Sequence, residues 1–126
     1  MSKTHKLDRK HASLIAIVYV YTTFNNTLIT ITDIKGKTLT FGSTGVLGLK
    51  GAKRSTAYAG QSIATVLGKK LINLGVHFLQ IKVKGFGNAR KSVLKGFLAA
   101  SLKIISVKDI TSISHNGCRK RKKRRI

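Results

Sequence analysis

Residues 77–109 read HFLQIKVKGFGNARKSVLKGFLAASLKIISVKD, and this stretch decides the fold. Apolar and polar side chains alternate over residues 77–84, which predicts a strand with a basic exposed side. After a glycine-containing turn, the apolar residues of 93–102 recur at helical spacing, with Ser92 as the predicted helix cap. Residues 104–110 supply the last strand. A strand–helix–strand unit predicts two parallel strands joined by a crossover helix.

A second helix is predicted upstream of this unit. Ser55 or Thr56 is the expected cap, and Gly75 is the expected end. Between them an apolar stripe recurs at close to 3.6-residue spacing, as in a helix that packs one side on a core. The stripe consists of Ala59, Ile63, Val66, Leu67, Leu71 and Leu74.

Three strands precede that helix. Residues 14–22 are β-branched and aromatic, residues 27–33 alternate in character, and residues 37–41 follow a second short turn. The first turn contains Asn25 and Asn26, and asparagine tolerates the left-handed backbone that tight turns need. Short turns join antiparallel neighbours, so the three strands are predicted to form a meander.

The predicted element order is therefore β-β-β-α-β-α-β, an α/β fold in which helices pack on a mixed sheet. One domain is expected, because 126 residues with 42% hydrophobic content suffice for one core and no Gly/Ser-rich linker divides the chain. The expected boundaries are a basic N-terminal segment (1–13), an α/β domain (14–111) and a basic C-terminal extension (112–126).

The charge of the chain indicates a polyanionic partner. There are 25 Lys and Arg residues against 3 acidic ones, a formal charge of +22. A solvated tail or a targeting signal explains the basic block 119–125 but not the cations spread through the predicted helices and strands. Membrane insertion is not expected, because the longest apolar run, residues 14–21, is too short to span a bilayer. Phosphate backbones supply the missing counter-charge, so nucleic acid is the first hypothesis.

Acidic residues are scarce, which argues against hydrolytic chemistry. The carboxylates are Asp8, Asp33 and Asp109, and the last two lie near predicted strand ends, where they would have the chance to be neighbours. A metal-dependent nuclease needs several clustered acids and stays an alternative. The four histidines lack metal-ligand spacing, and His115 with Cys118 supplies two of the four ligands of a structural zinc site. No catalytic residue, metal or cofactor is predicted.

The turn before the helix that Ser92 is predicted to cap suggests an anion site. Gly85 and Gly87 permit close backbone approach, and the helix start with Arg90 and Lys91 attracts phosphate. The spacing imitates a dinucleotide-binding motif, but Arg90 replaces the third glycine and the remaining chain is too short for the rest of that fold. The loop 42–51 likewise lacks the Gly-Lys-Ser/Thr triplet of a P-loop. We assign the turn to nucleic-acid phosphates, with a purely structural turn as the alternative.

Four blocks of sequence resemble, in order, the S11 family of small-subunit ribosomal proteins. They are TTFNNTLITITD (22–33), KRSTAYAGQ (53–61), KGFGNARKS (84–92) and DITSISHNGCRKRKKRRI (109–126), and the likeness covers residues 14–126. The resemblance implies an α/β domain without catalytic activity, bound to small-subunit rRNA on the platform near the messenger exit side. The implied partners are that rRNA, neighbouring platform proteins and messenger RNA at the exit side, without homo-oligomerisation.

The resemblance and the basic loops together give the predicted RNA-contacting or loop-shaping residues. Positions that match the family blocks are Asn25, Asn26, Lys53, Arg54, Ser55, Gly85, Gly87, Arg90, His115, Asn116, Gly117, Arg119, Lys120, Arg121, Lys122, Lys123, Arg124 and Arg125. Charge in the same loops adds Lys50, Lys84 and Lys91. An architectural DNA-binding protein explains the charge equally well, but not the four ordered blocks.

Specificity is expected to come from RNA shape and loop backbone, since the chain has few aromatic residues and lacks the motif of sheet-based RNA readers. The aromatic side chains are assigned mostly to the core, with Phe86 alone as an RNA or protein contact. They are Tyr19, Tyr21, Phe24, Phe41, Tyr58, Phe78, Phe86 and Phe97.

Composition also bears on the compartment. The chain has no proline, where the family's loops usually carry several, and it combines scarce acids with a Lys and Ile bias. This fits an organelle-encoded, AT-rich gene, so the mitochondrial matrix is favoured over a bacterial cytoplasm or a plastid stroma. Cys118 has no partner for an intramolecular disulfide, which fits a reducing compartment.

Overall fold

The computed structural model describes residues 15–126, which form a five-stranded mixed sheet with two helices. The strands are β1 (Ile15–Thr22), β2 (Thr27–Thr32), β3 (Thr38–Ser43), β4 (Phe78–Lys84) and β5 (Lys103–Asp109), and the helices are α1 (Ala57–Asn73) and α2 (Arg90–Ala99). The predicted fold class and element order are confirmed. The predicted N-terminal segment 1–13 lies outside the described residues.

The sheet has the order β3-β2-β1-β4-β5. The first three strands form the predicted antiparallel meander, and β1, β4 and β5 run parallel. The two crossovers, from β3 through α1 to β4 and from β4 through α2 to β5, move across the sheet in the same direction. Right-handed crossovers in one direction place both helices on one face. The described residues therefore form two layers, with the second face of the sheet left open.

The core lies between the sheet and the helices. Strand β4 buries Leu79, Ile81 and Val83, the alternation that the sequence predicted, and β1 buries Val18 and Val20 in the same layer. None of the helices within residues 15–126 is long and apolar enough to cross a bilayer.

Helix α1 buries a stripe that is shifted from the predicted one. Ile63, Leu67 and Leu71 face the sheet as expected, but Val66 is 40% exposed. A second buried row on α1, formed by Gly60, Ala64 and Gly68, packs on α2 instead. The buried side of α1 is set by two neighbours, the sheet and α2, and the spacing of apolar residues alone does not indicate the contact with α2. In α2, Val93 and Phe97 are buried as predicted, whereas Leu98 is exposed.

The two helices approach each other closely through glycine. A Cβ added at Gly60, Gly68 or Gly96 would lie 2.6 Å from the Cβ of Ala89, Ala100 or Ala64, respectively. Only a residue without a side chain fits at these three contacts, because the two helix backbones are too near for a methyl group. Small residues therefore fix the distance between the helices.

The start of α1 confirms one of the two predicted caps. The Thr56 hydroxyl accepts a hydrogen bond from the Ala59 backbone N–H at 3.3 Å, whereas the Ser55 hydroxyl donates to the Ala52 carbonyl at 2.9 Å. Thr56 is thus the cap, with the extended backbone that a cap requires. Gly75 has a φ of +87° directly after the helix, as expected for a glycine stop.

The cap predicted for α2 was wrong. The helix begins earlier, at Arg90, after Ala89, which makes no side-chain cap bond. Ser92 lies in the first turn, where it is buried and its hydroxyl donates to the Ala89 carbonyl at 3.0 Å. A serine close to a helix start can cap the helix by accepting from a backbone N–H, or it can donate its hydroxyl proton to a backbone carbonyl. Ser92 is buried against α1 and does the second.

Candidate nucleic-acid interface

Most predicted site residues meet at one end of the sheet. The segments that follow β1, β4 and β5 share this end because the three strands are parallel, and β2 begins and β3 ends there because each is antiparallel to its neighbour. We call it the loop end. It consists of residues 23–26, 44–56, 84–91 and 110–111. It carries the predicted cations Lys50, Lys53, Arg54, Lys84, Arg90 and Lys91.

Thr23 organises the first loop, a role that sequence reasoning missed. Its hydroxyl oxygen accepts hydrogen bonds from the backbone N–H groups of Asn25 and Asn26 at 3.3 and 3.0 Å, and its own N–H donates to the Asn26 carbonyl at 2.9 Å. Asn25 and Asn26 do not use the left-handed backbone that asparagine tolerates, since neither has a positive φ. A Ser or Thr that bonds the next amides shapes a turn without that backbone. The Asn25 side chain is left exposed.

Thr44 joins the first loop to the basic segment after β3. Its hydroxyl oxygen lies 2.6 Å from Asn26 Oδ1 and 2.7 Å from the Arg54 carbonyl oxygen, and one proton serves these two acceptors in turn. Thr44 is fully buried. Within the segment that follows β3, residues 44–47 and 51–55 form short 3₁₀ turns. The carbonyl of Arg54 is therefore held in place, while exposed Lys50 and Lys53 face solvent.

Gly85 and Gly87 are required by the chain itself. Gly85 has a φ of +92°, and a Cβ there would lie 2.2 Å from the Thr22 carbonyl oxygen. At Gly87 a Cβ would lie 2.8 Å from the Thr23 carbonyl oxygen. The close approach predicted for a phosphate is made by the turn after β1. The structural alternative for these two glycines thus has direct support, and a phosphate contact at their backbone stays a prediction.

Arg90 and Asp109 close the loop between β4 and α2. Arg90 Nη2 lies 2.6 Å from Asp109 Oδ2, and Arg90 Nη1 donates to the Gly85 carbonyl at 3.0 Å. The guanidinium also lies 5.9 Å from the centre of the Phe86 ring. Arg90 thus spans the start of α2, the glycine turn and the end of β5.

Asp109 also anchors the first residues of the C-terminal extension. Its Oδ1 accepts from the Thr111 hydroxyl at 2.6 Å and from the Thr111 N–H at 2.9 Å, and the Thr111 oxygen accepts from Gly85 N–H at 3.1 Å. The two hydrogen bonds from Thr111 hold the pKa of the Asp109 carboxyl well below its usual range, and the Arg90 guanidinium adds a smaller effect in the same direction. Asp109 is therefore an anion at any physiological pH, and it fixes where the tail leaves the domain.

The two aspartates do not form a catalytic pair. Asp33 follows β2 at the opposite end of the sheet, since Thr32 pairs with Ile17 near the start of β1. Its Oδ1 accepts from the Lys37 N–H at 2.9 Å, which is turn chemistry. The sequence left open that they are neighbours, and the structure places them at opposite ends of the sheet. Nowhere in residues 15–126 do three or more His, Cys or carboxylate side chains come together as metal ligands.

The basic tail extends from the loop end. Residues 112–126 are all exposed and include His115 and Cys118. Asn116 and Gly117 have positive φ values of 73° and 55°, so the chain bends just before its basic block. The structure therefore starts the tail beside the loop cations but packs none of residues 119–125 on the domain.

The assignment of the aromatic residues to the core was wrong. Phe97 is fully buried, and Phe78 is half-buried. The exposed rings are Tyr19, Tyr21, Phe24, Phe41, Tyr58 and Phe86. The alternation of β1 places its tyrosines on one face, and that face is open because both helices lie on the other.

Comparison with known proteins matches this chain to one family along nearly its whole length. Residues 16–125 match the family described as Ribosomal protein S11. The chain is 41% identical over 125 residues to "Small ribosomal subunit protein uS11" of Methylorubrum populi, which covers 99% of this chain and 96% of that protein. A protein of the same name from Rhodopirellula baltica is 42% identical over 127 residues, with both chains covered in full. The matched region includes the loop end and almost the entire tail.

Proposed function

The chain belongs to the ribosomal protein S11 family, and from this membership we propose that its loop end and tail bind small-subunit rRNA. As a member of that family it is a structural, non-enzymatic constituent of the small ribosomal subunit. Its partners are rRNA and other ribosomal proteins. The observation that supports the proposed interface is the meeting of four loops at one end of the sheet, where cations surround one ion pair.

The loop end supplies fixed positive charge. Lys53 precedes Arg54, whose carbonyl accepts from the buried Thr44 hydroxyl. Lys84 ends a central strand, and Lys91 lies in the first turn of α2. All three are exposed, and within residues 15–126 none is in a salt bridge. Cations held on strands and helix starts keep a constant spacing, and phosphate contacts of this kind position a protein on RNA.

Arg90 has a different part in this proposal. Its guanidinium is already bound by Asp109 and by the Gly85 carbonyl, so part of its charge is compensated. We assign it to positioning the glycine turn, and two of its five N–H donors serve that purpose. The remaining N–H donors of Arg90 are available for the predicted RNA contact, which is its second role.

The tail supplies reach beyond the domain and the largest block of charge. Seven consecutive cations, residues 119–125, begin shortly after the bend at Asn116 and Gly117. Each Lys or Arg that neutralises a phosphate releases counterions, which makes binding weaken with salt. We propose that the bend, including His115, aims the tail along RNA that the loop end already holds.

The test compares equal charge changes at the two ends of the sheet. Lys53→Gln with Lys91→Gln removes two loop-end cations, and Lys69→Gln with Lys70→Gln removes two exposed cations from the far end of α1. Binding to purified small-subunit rRNA is measured over a range of salt concentrations. The loop-end pair should flatten the log–log salt slope by about two, and replacing residues 119–125 by glutamine should flatten it by several units.

The far-end pair is the matched control and should leave the slope nearly unchanged. Equal effects from both pairs would show that the protein binds RNA by its overall charge, without a defined interface. An unchanged slope in the tail variant would remove the tail from the interface. Tighter binding to duplex DNA than to structured RNA at equal salt would favour the architectural DNA-binding alternative.

The finer location is also a proposal. On the family resemblance we place the chain on the platform near the messenger exit side, as a single copy beside other platform proteins and messenger RNA. We further propose a mitochondrial source, which rests only on the absence of proline, the scarcity of acids and the Lys and Ile bias. The relatives reported above are bacterial and lend it no support. Sedimentation of organelle and whole-cell lysates, probed for this chain, separates mitochondrial, plastid and bacterial sources.

A further inference from the structure

The open face of the sheet carries aromatic rings paired with lysines. Tyr19 lies between Thr30 of β2 and Lys82 of β4, and Tyr21 lies between Leu28 and Lys84 in the next row. Lys82 Nζ is 5.5 Å from the centre of the Tyr19 ring, and Lys84 Nζ is 5.9 Å from that of Tyr21. These distances place each ammonium over the face of a ring.

The rings are accessible rather than packed away. Tyr19 is 37% exposed and Tyr21 is 43% exposed, and both lie on a strand at the centre of the sheet. Central strands usually carry their large side chains under cover. Within residues 15–126 no helix or strand packs on this face. A half-exposed tyrosine pair there indicates a surface that a partner completes.

The neighbouring positions extend this surface in two directions. Toward β3 it is apolar, with Leu28 at 45% and Phe41 at 73% exposure. Toward β5 it is basic, since Lys82 pairs in register with Lys108. Asp109, the carboxylate on β5, turns to Arg90 on the helix side instead. The face therefore combines flat aromatic area with positive charge.

We propose that this face is a second RNA surface, on which unpaired bases stack against Tyr19 and Tyr21 while Lys82, Lys84 and Lys108 bind the attached phosphates. It rests on the proposed function, because it takes RNA as the partner. Single-stranded nucleic acid is bound by this combination of aromatic platform and basic groove. Double-stranded RNA hides its base faces, so the surface selects unpaired nucleotides.

Continuity with the loop end favours RNA over an acidic protein. Tyr21 is followed by Thr22 and the loop-end turn, and its partner Lys84 directly precedes Gly85. An RNA strand on the loop-end cations reaches the tyrosines without leaving the protein surface. Tyr19 and Tyr21 are about 6.6 Å apart along the strand, a spacing for successive unstacked nucleotides. When a base stacks on a tyrosine ring, it takes the position of the paired lysine, and that lysine binds the adjacent phosphate instead.

Tyrosine emission gives a direct test, since the chain has three tyrosines and no tryptophan. Tyr58 is on α1, and Tyr58→Phe leaves emission from Tyr19 and Tyr21 alone. This full-length variant is titrated with a twelve-nucleotide single-stranded RNA, with a duplex of the same length, and with polyphosphate. Stacking quenches tyrosine emission, so the single strand should quench strongly, and the duplex and polyphosphate weakly.

Affinity for the single strand provides the second readout. Tyr19→Leu with Tyr21→Leu keeps apolar bulk but removes both rings, and should weaken binding about fivefold for each ring with an unchanged salt slope. Tyr19→Phe with Tyr21→Phe keeps the rings and should bind like the unaltered chain. Comparison of the two variants shows whether weaker binding comes from the loss of stacking. Circular dichroism checks that both variants are folded.

The outcomes distinguish this inference from the proposed function. Absence of quenching in the Tyr58→Phe variant, together with unchanged affinity in the leucine variant, overturns the stacking surface while leaving loop-end binding intact. Failure of the unaltered chain to bind any RNA overturns the proposed function itself. Normal RNA binding by the leucine variant, with weaker incorporation into reconstituted small subunits, would identify the face as a protein contact and refute the proposal.

Discussion

Replacing Gly85 by alanine tests whether the glycine turn is held by the chain itself. Its φ of +92° is one that L residues rarely adopt, and the new Cβ would lie 2.2 Å from the Thr22 carbonyl oxygen. Since real Cβ atoms keep at least 3.0 Å, the turn has to move by about 0.8 Å. That movement acts on the contact between the ends of β1 and β4.

The expected cost follows from two terms. The left-handed backbone costs an alanine about 1–2 kcal/mol. The displacement also strains the bonds from Gly85 N–H to Thr111 Oγ1, at 3.1 Å, and from Thr22 Oγ1 to the Lys84 carbonyl, at 3.5 Å. Each is worth about 0.5–1.5 kcal/mol. The free energy of unfolding should therefore fall by about 2–5 kcal/mol.

Gly36→Ala provides a matched control, because Gly36 has a φ of +91° and no atom within 4 Å of an added Cβ. Both variants pay the backbone term and share the same change in the unfolded chain. Urea unfolding followed by circular dichroism should show Gly85→Ala about 2 kcal/mol less stable than Gly36→Ala. Equal stability of the two variants would refute the close contact between the turns.

Two further predictions concern the cap and the ion pair. Thr56→Ala should lower the free energy of unfolding by about 1 kcal/mol, whereas Ser55→Ala should change it little, because only Thr56 accepts from the helix N–H; the reverse order in urea unfolding would restore Ser55 as the cap. Asp109→Asn should destabilise the protein at neutral pH. Because folding lowers the pKa of Asp109, its contribution is present above about pH 4 and is lost as pH falls through the folded pKa. Unfolding curves of the variant and the unaltered chain should converge in acid, and a difference that persists at low pH would contradict this linkage.

The loop cations could be placed from sequence because charge and glycine both mark loops. Lys53, Lys84 and Lys91 lie where the strand and helix patterns end, and the structure brings all three to one end of the sheet. The contacts that shape this end were not accessible in the same way. Thr44 meets Asn26 and Arg54, and Thr111 meets Gly85, across long separations in the chain. A threonine carries no local signal for such a partner.

The sequence by itself determined the element order, the start of the first helix at Ser55 or Thr56, the glycine stop at Gly75 and the basic character of the loops and tail. These features depend on periodicity, on residues a few positions apart, or on composition, which are all local properties.

Tertiary structure alone decided which ends and faces of these elements meet. Two crossovers in one direction put both helices on one side of the sheet, so Tyr19 and Tyr21 became exposed although their strand is central. The same topology sent Asp33 and Asp109 to opposite ends of the sheet, and brought Gly85 against Thr22. Alternation along a strand tells which residues share a face, but only the packing of the other elements determines which face is buried.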